Sequence, residues 1–380
     1  MEVGDSIYLD YQAATPLDGR VLQAMEAAYA THFANPHSAD HVLGWRAAAA
    51  IETASAQVGR LFGLGADDVT FTSGASEANA MALKAAQTIG SQTGRTEVLI
   101  GAADHGSIRN EADSRDLRVK YIPLDSRGAP NPSQLQAMLS GKVALVSIVG
   151  VNNENGAIAE LGEIAALCRS HGAVFHADLA QAPLAMDIDL IGLDIPIATI
   201  SAHKLYGPKG VGALLAGPGS SALIKPVIVG AGQQGGRRGG TMPTELIMGF
   251  GEACRIISTE GSAERDRVAL LRDRFVHILE EKQIARLIGG RDGRHPGNAL
   301  MHFRGQNAAD LLARFQPHIA ASTQSACSSG TMEPSHVLSA MGLDREAASE
   351  CIRFSFGRFS NDQQIDRAIA IIVGAIEQVL

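Results

Sequence analysis

An acid and an amine stand at the ends of two apolar runs in this chain. Ala173-Val174-Phe175-His176-Ala177 leads to Asp178, and Ile195-Pro196-Ile197-Ala198-Thr199-Ile200 leads to Ser201-Ala202-His203-Lys204. Short apolar runs bounded by polar residues fit strands buried in a parallel sheet, and open α/β sheets bind ligands beyond the carboxyl ends of their strands. A carboxylate and a lysine delivered to that place suit pyridoxal phosphate. The lysine forms the Schiff base, and the carboxylate pairs with the protonated pyridine nitrogen and keeps the ring an electron sink. The same two residues also fit one surface lysine and one strand-end aspartate in a generic α/β protein, so the rest of the chain must decide.

Further groups fit the first reading. Val69-Thr70-Phe71-Thr72 reads as a buried strand followed by Ser73-Gly74-Ala75-Ser76-Glu77-Ala78-Asn79 and a helix. Small residues at a strand-to-helix turn leave backbone N–H groups at the positive helix end, a phosphate site with the Ser76 hydroxyl as an added donor. An ordinary capped helix with a Ser-x-x-Glu-like start explains the stretch as well. Ala320 to Thr331 is almost all small residues around one thiol, Cys327. Its neighbours offer little to pack against, so a polar, mobile loop would leave it accessible as a nucleophile. Cys168 and Cys254 instead sit on apolar helical faces and read as small core residues. Arg353, in Ile352-Arg353-Phe354-Ser355-Phe356, could fork onto a substrate carboxylate or form a structural ion pair. The glycine-rich stretch 230–241, with Arg237 and Arg238, could cradle an anion or form a loop at a subunit contact. His32, His37 and His41 share no clear helical face, so no metal is expected there.

The elements that must position these groups follow from patterning. With 380 residues, 46% of them hydrophobic, the chain can bury a large core and is expected to split into two domains. A net charge of −8 leaves no broad basic footprint, which argues against direct nucleic-acid binding. No apolar run reaches about 18 residues, so no membrane span is expected. The N-terminus MEVGDSIYLD lacks the pattern of a signal peptide, and four scattered cysteines without a CxxC pair point to a reducing, cytoplasmic compartment. Thr15 as N-cap with Pro16 at the first helical position predicts a helix to about Tyr29. From Val69 to Ala216 strands and helices alternate, which predicts a mostly parallel sheet covered on both faces. His105, Asn153, Asp178 and Lys204 then all fall at strand carboxyl ends, where one ligand could touch them. A helix from Thr244 to Ile257 is followed by a change of character, with charge-rich helices over Glu260 to Glu281.

In order along the chain stand YLDYQAATP, ANPHS, FTSGASEAN, VNNENG, HADLAQ, SAHKLYGPKG, GGTMP, QSACSSGTMEPSHVL and IRFSFGRF. With these the chain resembles the cysteine desulfurases, pyridoxal-phosphate enzymes of the class V aminotransferase superfamily, and within them the long-catalytic-loop group serving iron–sulfur assembly. The resemblance covers nearly the whole chain. It implies the α/β fold of type I transferases, with a large cofactor domain over 16–257 and a small α+β domain built from 1–15 plus 258–380. It implies that Lys204 is the Schiff-base lysine and Asp178 the partner of the ring nitrogen. His105 would stack on the ring and serve as acid/base, with Asn153 and Gln181 near the ring hydroxyl. Gly74, Ala75, Ser76, Ser201 and His203 would hold the phosphate. The Thr241 position reaches it from the other subunit of a homodimer. Arg353, Asn35 and Ala14 would bind the substrate, L-cysteine. The Cys327 thiolate would take its sulfur as a persulfide, release L-alanine and pass the sulfur to a protein acceptor.

Departures from the pattern stand beside the resemblance. Ser76 stands where threonine is usual, Gly106 where lysine is common, and Gln233-Gln234 replace a His-Glu pair. The sequence also ends at Leu380, where housekeeping members carry a tail that docks the cluster scaffold, so the acceptor is not named by the resemblance. A selenocysteine lyase shares the scaffold and would turn over L-selenocysteine at least as well as L-cysteine. A class V aminotransferase would not need Cys327, and a non-enzymatic sulfur-relay subunit would lack the lysine-bound cofactor.

Overall fold

Seven short strands make the central sheet, apolar except at the edge strand β3: β1 (Val69–Thr72), β2 (Glu97–Gly101), β3 (Arg118–Ile122), β4 (Val143–Val149), β5 (Val174–Asp178), β6 (Ile197–Ser201) and β7 (Gly212–Ala216). The structure, a computed structural model, describes residues 1–115, 117–217, 219–323, 325–328 and 331–377, with the backbone alone at 325–328 and 331–334. The spatial order is β1-β7-β6-β5-β4-β2-β3. From β6 to β3 every neighbour is parallel, while β7 runs antiparallel to both β1 and β6. Burial on both faces explains why β4, β6 and β7 read as unbroken apolar runs rather than as alternation. Parallel pairing has a consequence for chemistry: the segments leaving β2, β4, β5 and β6 all emerge at one edge of the sheet.

The helix Ala75–Thr93 packs Ala78, Met81, Ala82 and Ala85 against Ile197 of β6 and Leu214 of β7. Its small side chains allow close approach. Gly212 carries this to the limit, because a Cβ there would lie 2.7 Å from the Gly74 backbone and 2.6 Å from Ile200 O. The start of β7 is thus pressed against the turn that opens the helix.

A second core lies around the antiparallel strands Arg286–Leu287, Asn298–His302, Cys351–Ser355 and Ser322–Thr323. Phe275, Phe303, Phe354 and Phe356 fill it together with Ile7 and Leu9 from the other end of the chain. A single helix, Thr244–Glu281, joins the cores: Phe250, Cys254 and Ile257 sit in the first, Leu271, Phe275 and Leu279 in the second. The sequence suggested a break after Ile257. Gly261 lies inside the continuous helix at a cost of about 1 kcal/mol relative to alanine, which two docked apolar faces outweigh.

A second correction concerns Thr15. The helix runs over Gly19–Thr31 and its N-cap is Asp18, whose carboxylate accepts from Arg20 N. The Thr15 hydroxyl is engaged elsewhere, donating to His203 O at 2.9 Å and accepting from Tyr206 N at 2.7 Å. It fastens the N-terminal segment to the turn that carries Lys204. Among the described residues no helix is long and apolar enough to cross a membrane.

Candidate active site

The edge where β2, β4, β5 and β6 end opens into a cavity of about 590 Å³. His105, Asn153, Asp178 and Lys204 line it, each from a different strand end. Gly74, Ala75 and Ser76 line it from the turn after β1, Gln181 from the segment after β5, Ser201 and His203 from the end of β6, and Ala14 from the N-terminal segment. Asn35 and Thr241 lie exposed outside this chain's own cavity, and Asn35 accepts from His37 N.

Asp178 is the last residue of β5 and only 4% exposed. One carboxylate oxygen accepts from Ala180 N at 3.0 Å and the other from Asn79 Nδ2 at 2.9 Å. Asn79, fully buried, also accepts the Thr199 hydroxyl, and Thr199 pairs in register with Asp178 across β5 and β6. Behind Thr199 lies His176, which bonds to the Ser147 hydroxyl at 2.9 Å. Burial pushes the His176 ring down to about 4, so a neutral polar ladder underlies the acid. Every group in it has a partner, which fixes the carboxylate before any ligand arrives.

Lys204 ends a single helical turn, Ala202–Lys204, after β6. Its Nζ donates to Gln12 O at 2.7 Å and to Ala13 O at 2.6 Å. Burial, and then the nearby Arg353 cation, push its pKa down to about 8, while Asp10 and Asp178 oppose the shift. Two carbonyls aim the amine without neutralising it by an ion pair, so a neutral, nucleophilic fraction exists near neutral pH. Gln181 Nε2 donates to the same Gln12 carbonyl at 2.8 Å.

The opposite end of the cavity is built for an anion. Gly74 is the N-cap of the helix Ala75–Thr93 and supplies no side-chain cap, so the first-turn N–H groups face the opening without one. Ser201 Oγ and His203 Nδ1 lie 2.9 Å apart beside it, and burial followed by Lys204 and Lys209 pushes His203 down to about 4. An uncapped helix end, a fixed carboxylate and a neutralisable amine around one cavity match the phosphate, pyridine nitrogen and aldehyde of pyridoxal phosphate.

Two sequence expectations change here. The arginines of the glycine stretch are held by this chain's own acceptors. Arg238 forks onto Glu77 at 2.9 and 3.2 Å, and Arg237 donates to Asp67 O at 2.7 Å. Carboxylate and carbonyl acceptors close by compete successfully for both guanidiniums. Gln234 fixes the same stretch to the edge strand, its side-chain amide giving and taking one hydrogen bond with the Phe71 backbone. The backbone around Cys327 differs from the expected loop: Ser325–Ser328 pairs antiparallel with Thr331–Pro334, so its backbone polar groups find partners within the segment itself. The Cys327 side chain lies outside the described residues.

Arg353, on the strand Cys351–Ser355, is 5% exposed and stands behind the cavity wall. Its Nη2 meets Asp10 Oδ1 at 2.7 Å and its Nη1 donates to Asn153 O at 2.7 Å, while Nε has no partner among the described residues. Asp10 also accepts the Ser322 hydroxyl at 2.8 Å, at the start of the segment leading to Cys327.

The residues that sequence reading passed over are Asn79, Ser107, Lys209 and the Gln12 carbonyl. Asn79 left a signal: a lone amide among Ala78, Ala80, Met81 and Ala82 on an apolar helix face. A backbone carbonyl leaves none.

A family profile described as aminotransferase class-V matches residues 7–368. The chain is 38% identical over 379 residues to a cysteine desulfurase IscS of Rickettsia bellii (strain OSU 85-389), covering 98% of this chain and 92% of that one. Among solved structures, a NifS-like protein from Rickettsia africae ESF-5 superposes with a TM-score of 0.88 at 29% identity, covering 98% of this chain and 99% of that one. A structure described as SspA in complex with cysteine gives 0.81 at 28% identity, covering 93% and 99%.

Proposed function

The chain belongs to the class-V aminotransferase family and is a cysteine desulfurase; we propose that it uses pyridoxal phosphate held in the cavity beyond β5 and β6 to take sulfur from L-cysteine. The observation carrying this assignment of the site is the convergence of a fixed carboxylate, Asp178, and an amine of lowered pKa, Lys204, opposite an uncapped helix end.

When bound, pyridoxal phosphate supplies an electron sink that makes the Cα–H bond of an amino acid breakable. Ser76, Ser201, His203 and the Ala75–Thr93 helix end would hold the phosphate. Asp178, oriented by Asn79 and Ala180, would face the pyridine nitrogen, with His105 beside the ring and Asn153 and Gln181 near its hydroxyl. Lys204 would hold the aldehyde carbon and, released by substrate, carry the Cα proton. The substrate carboxylate would take the Arg353 guanidinium, with Asn35 and Ala14 lining its approach. The Cys327 thiolate would attack the substrate sulfur: an S–S bond forms, the Cβ–S bond breaks, and its electron pair stays with the alanine skeleton, which is reprotonated and leaves as L-alanine. The persulfide then passes to a protein acceptor, with iron–sulfur assembly as the proposed destination.

A homodimer suits the exposed apolar side chains Tyr29, Phe33, Trp45 and Val229 and the exposed placement of Thr241, which in the proposed assembly completes the partner's site. The proposed organisation into a 16–257 cofactor domain and a small domain of 1–15 plus 258–380 is supported by the two separate cores.

The deciding experiment supplies the cofactor-loaded protein with L-cysteine, quantifies L-alanine, and searches Cys327 for added sulfur by mass spectrometry. Equimolar alanine and a persulfide on Cys327 are expected. Alanine formation that persists unchanged in Cys327→Ala would defeat the role given to that thiol, and better turnover of L-selenocysteine would move the substrate assignment.

A further inference from the structure

His105 is the N-cap of the helix Gly106–Ser114, and one of its ring nitrogens faces two groups at once. Ser107 N donates to Nδ1 at 3.1 Å, and the Ser107 hydroxyl lies 2.9 Å from the same atom. A backbone N–H can only donate, so in this arrangement Nδ1 bears a lone pair and the ring proton sits on Nε2. The Ser107 oxygen is itself addressed by Asn79 Nδ2 at 3.0 Å, so its hydrogen is free to point at Nδ1. The other hydrogen of that amide goes to Asp178 Oδ2 at 2.9 Å, and the amide oxygen accepts from Thr199. A carboxylate can only accept, which dictates which way the Asn79 amide is turned. Asn79 is fully buried with both ends of the amide occupied, so it cannot flip without stranding a polar group.

We propose that Asn79 and Ser107 are positioning residues that bridge Asp178 to His105 and hold the imidazole as its Nε2–H tautomer, so that His105 serves as a neutral hydrogen-bond donor and not as the base. The bridge runs carboxylate, amide, hydroxyl, imidazole, with each member donating to or accepting from the next. Three consequences follow. With Nδ1 occupied and Nε2 protonated, the ring has no free lone pair with which to accept the Cα proton, which leaves that task to Lys204. A neutral imidazole beside a charge-bearing group can polarise it through Nε2–H without adding a further cation next to Lys204 and Arg353. The carboxylate and the ring also share one support, so loosening the amide disturbs both.

The inference rests on the functional reading only for what His105 acts upon; the tautomer is a property of the protein alone. It is tested by nitrogen-15 NMR of histidine-labelled protein, with and without pyridoxal phosphate, His105 being assigned by its disappearance in His105→Asn. The expected result is one tautomer with the proton on Nε2 in both forms. Ser107→Pro, a first-turn change that removes both the N–H and the hydroxyl, should average that signal over both nitrogens and lower kcat about tenfold with little change in KM for L-cysteine. Ser107→Ala keeps the N–H on Nδ1 and so should keep the tautomer, but it breaks the link to Asn79 and should lower kcat several-fold, which Ser107→Thr, with its donor hydroxyl, should restore. Asn79→Ala should likewise lower kcat with the tautomer retained. A proton found on Nδ1 in the native protein, a His105 signal indifferent to Ser107→Pro, or a kcat indifferent to Ser107→Ala overturns the proposal. If the Nε2–H tautomer is present but L-cysteine is not turned over, the functional reading fails and the bridge survives.

Discussion

The carboxyl edge of the central sheet and the strand that carries Arg353 solve opposite problems. At the sheet edge, Asp178 is held by Ala180 two residues away and by Asn79 from the adjoining helix, and Thr199 beneath them comes from the next strand. Arg353 instead draws its partners from Asp10 and Asn153, which lie 343 and 200 positions away in sequence, and its buried Nε has no partner among the described residues. The ladder around Asp178 is fully partnered and fixes where charge will be stabilised. The second region is assembled from remote segments, and its guanidinium is held by the ion pair to Asp10 and the Asn153 carbonyl. The contrast teaches that the acid of the proposed cofactor end is preorganised within one sheet and its covering helix, while the proposed substrate end depends on how the two cores close on each other.

The contrast breaks most visibly at Lys204. Lys204→Ala should lower L-cysteine turnover by about a thousandfold or more, since both proton transfer and covalent capture of the cofactor are lost. Failure of borohydride to fix the cofactor to that variant would check the covalent part, and near-native turnover would remove the sheet edge as the site of chemistry. Arg353→Gln should act at the other region, lowering kcat/KM by roughly ten- to a hundredfold, mostly through KM, as expected for one charge-assisted pair. A pure kcat defect there would show that Arg353 supports structure instead.

One titration couples the two regions. In the cofactor-free protein the Lys204 amine is pushed down to about 8 by burial and by Arg353. Capture of added pyridoxal phosphate should therefore rise with pH through a midpoint near 8 and level above it. In Arg353→Gln the midpoint should move up towards the ordinary lysine value. An unmoved midpoint would mean that the regions do not sense each other.

The smallest effect separates the cores by acid stability. His176 beneath the sheet edge and His295, just ahead of the strand Asn298–His302, are buried and pushed down, to about 4 and about 3. Below the ordinary histidine value of about 6.5 the unfolded chain binds protons that the folded chain refuses, so stability is full above that pH and falls as pH drops towards 4. Each ring should account for a loss on the order of 2 kcal/mol by pH 4, read from urea unfolding at stepped pH. His176→Asn and His295→Asn should each flatten the slope.

Much of this was written in residue order. β1 and β4 begin and end where the apolar runs of the sequence do, because a strand buried on both faces tolerates few polar residues. Asp178 and Lys204 could be singled out because a strand end gives a side chain a direction and a depth. The ladder beneath them was less legible, since Asn79 became meaningful only when Thr199 and Asp178 arrived on either side of it. Thr15 was misread as a cap because its hydroxyl is claimed by residues 188 and 191 positions away.

By itself, then, the sequence determined the alternation of elements, the mostly parallel sheet and the placing of an acid and an amine at strand ends, because hydrophobic period and side-chain chemistry are local properties. Tertiary structure alone decided the Gln12 and Ala13 carbonyls as the amine's partners, the Asp10–Arg353 pairing across the two ends of the chain, and the tautomer imposed on His105. Backbone carbonyls carry no residue code, and hydrogen-bond direction is set only when donors and acceptors from distant segments are brought within about 3 Å of one another.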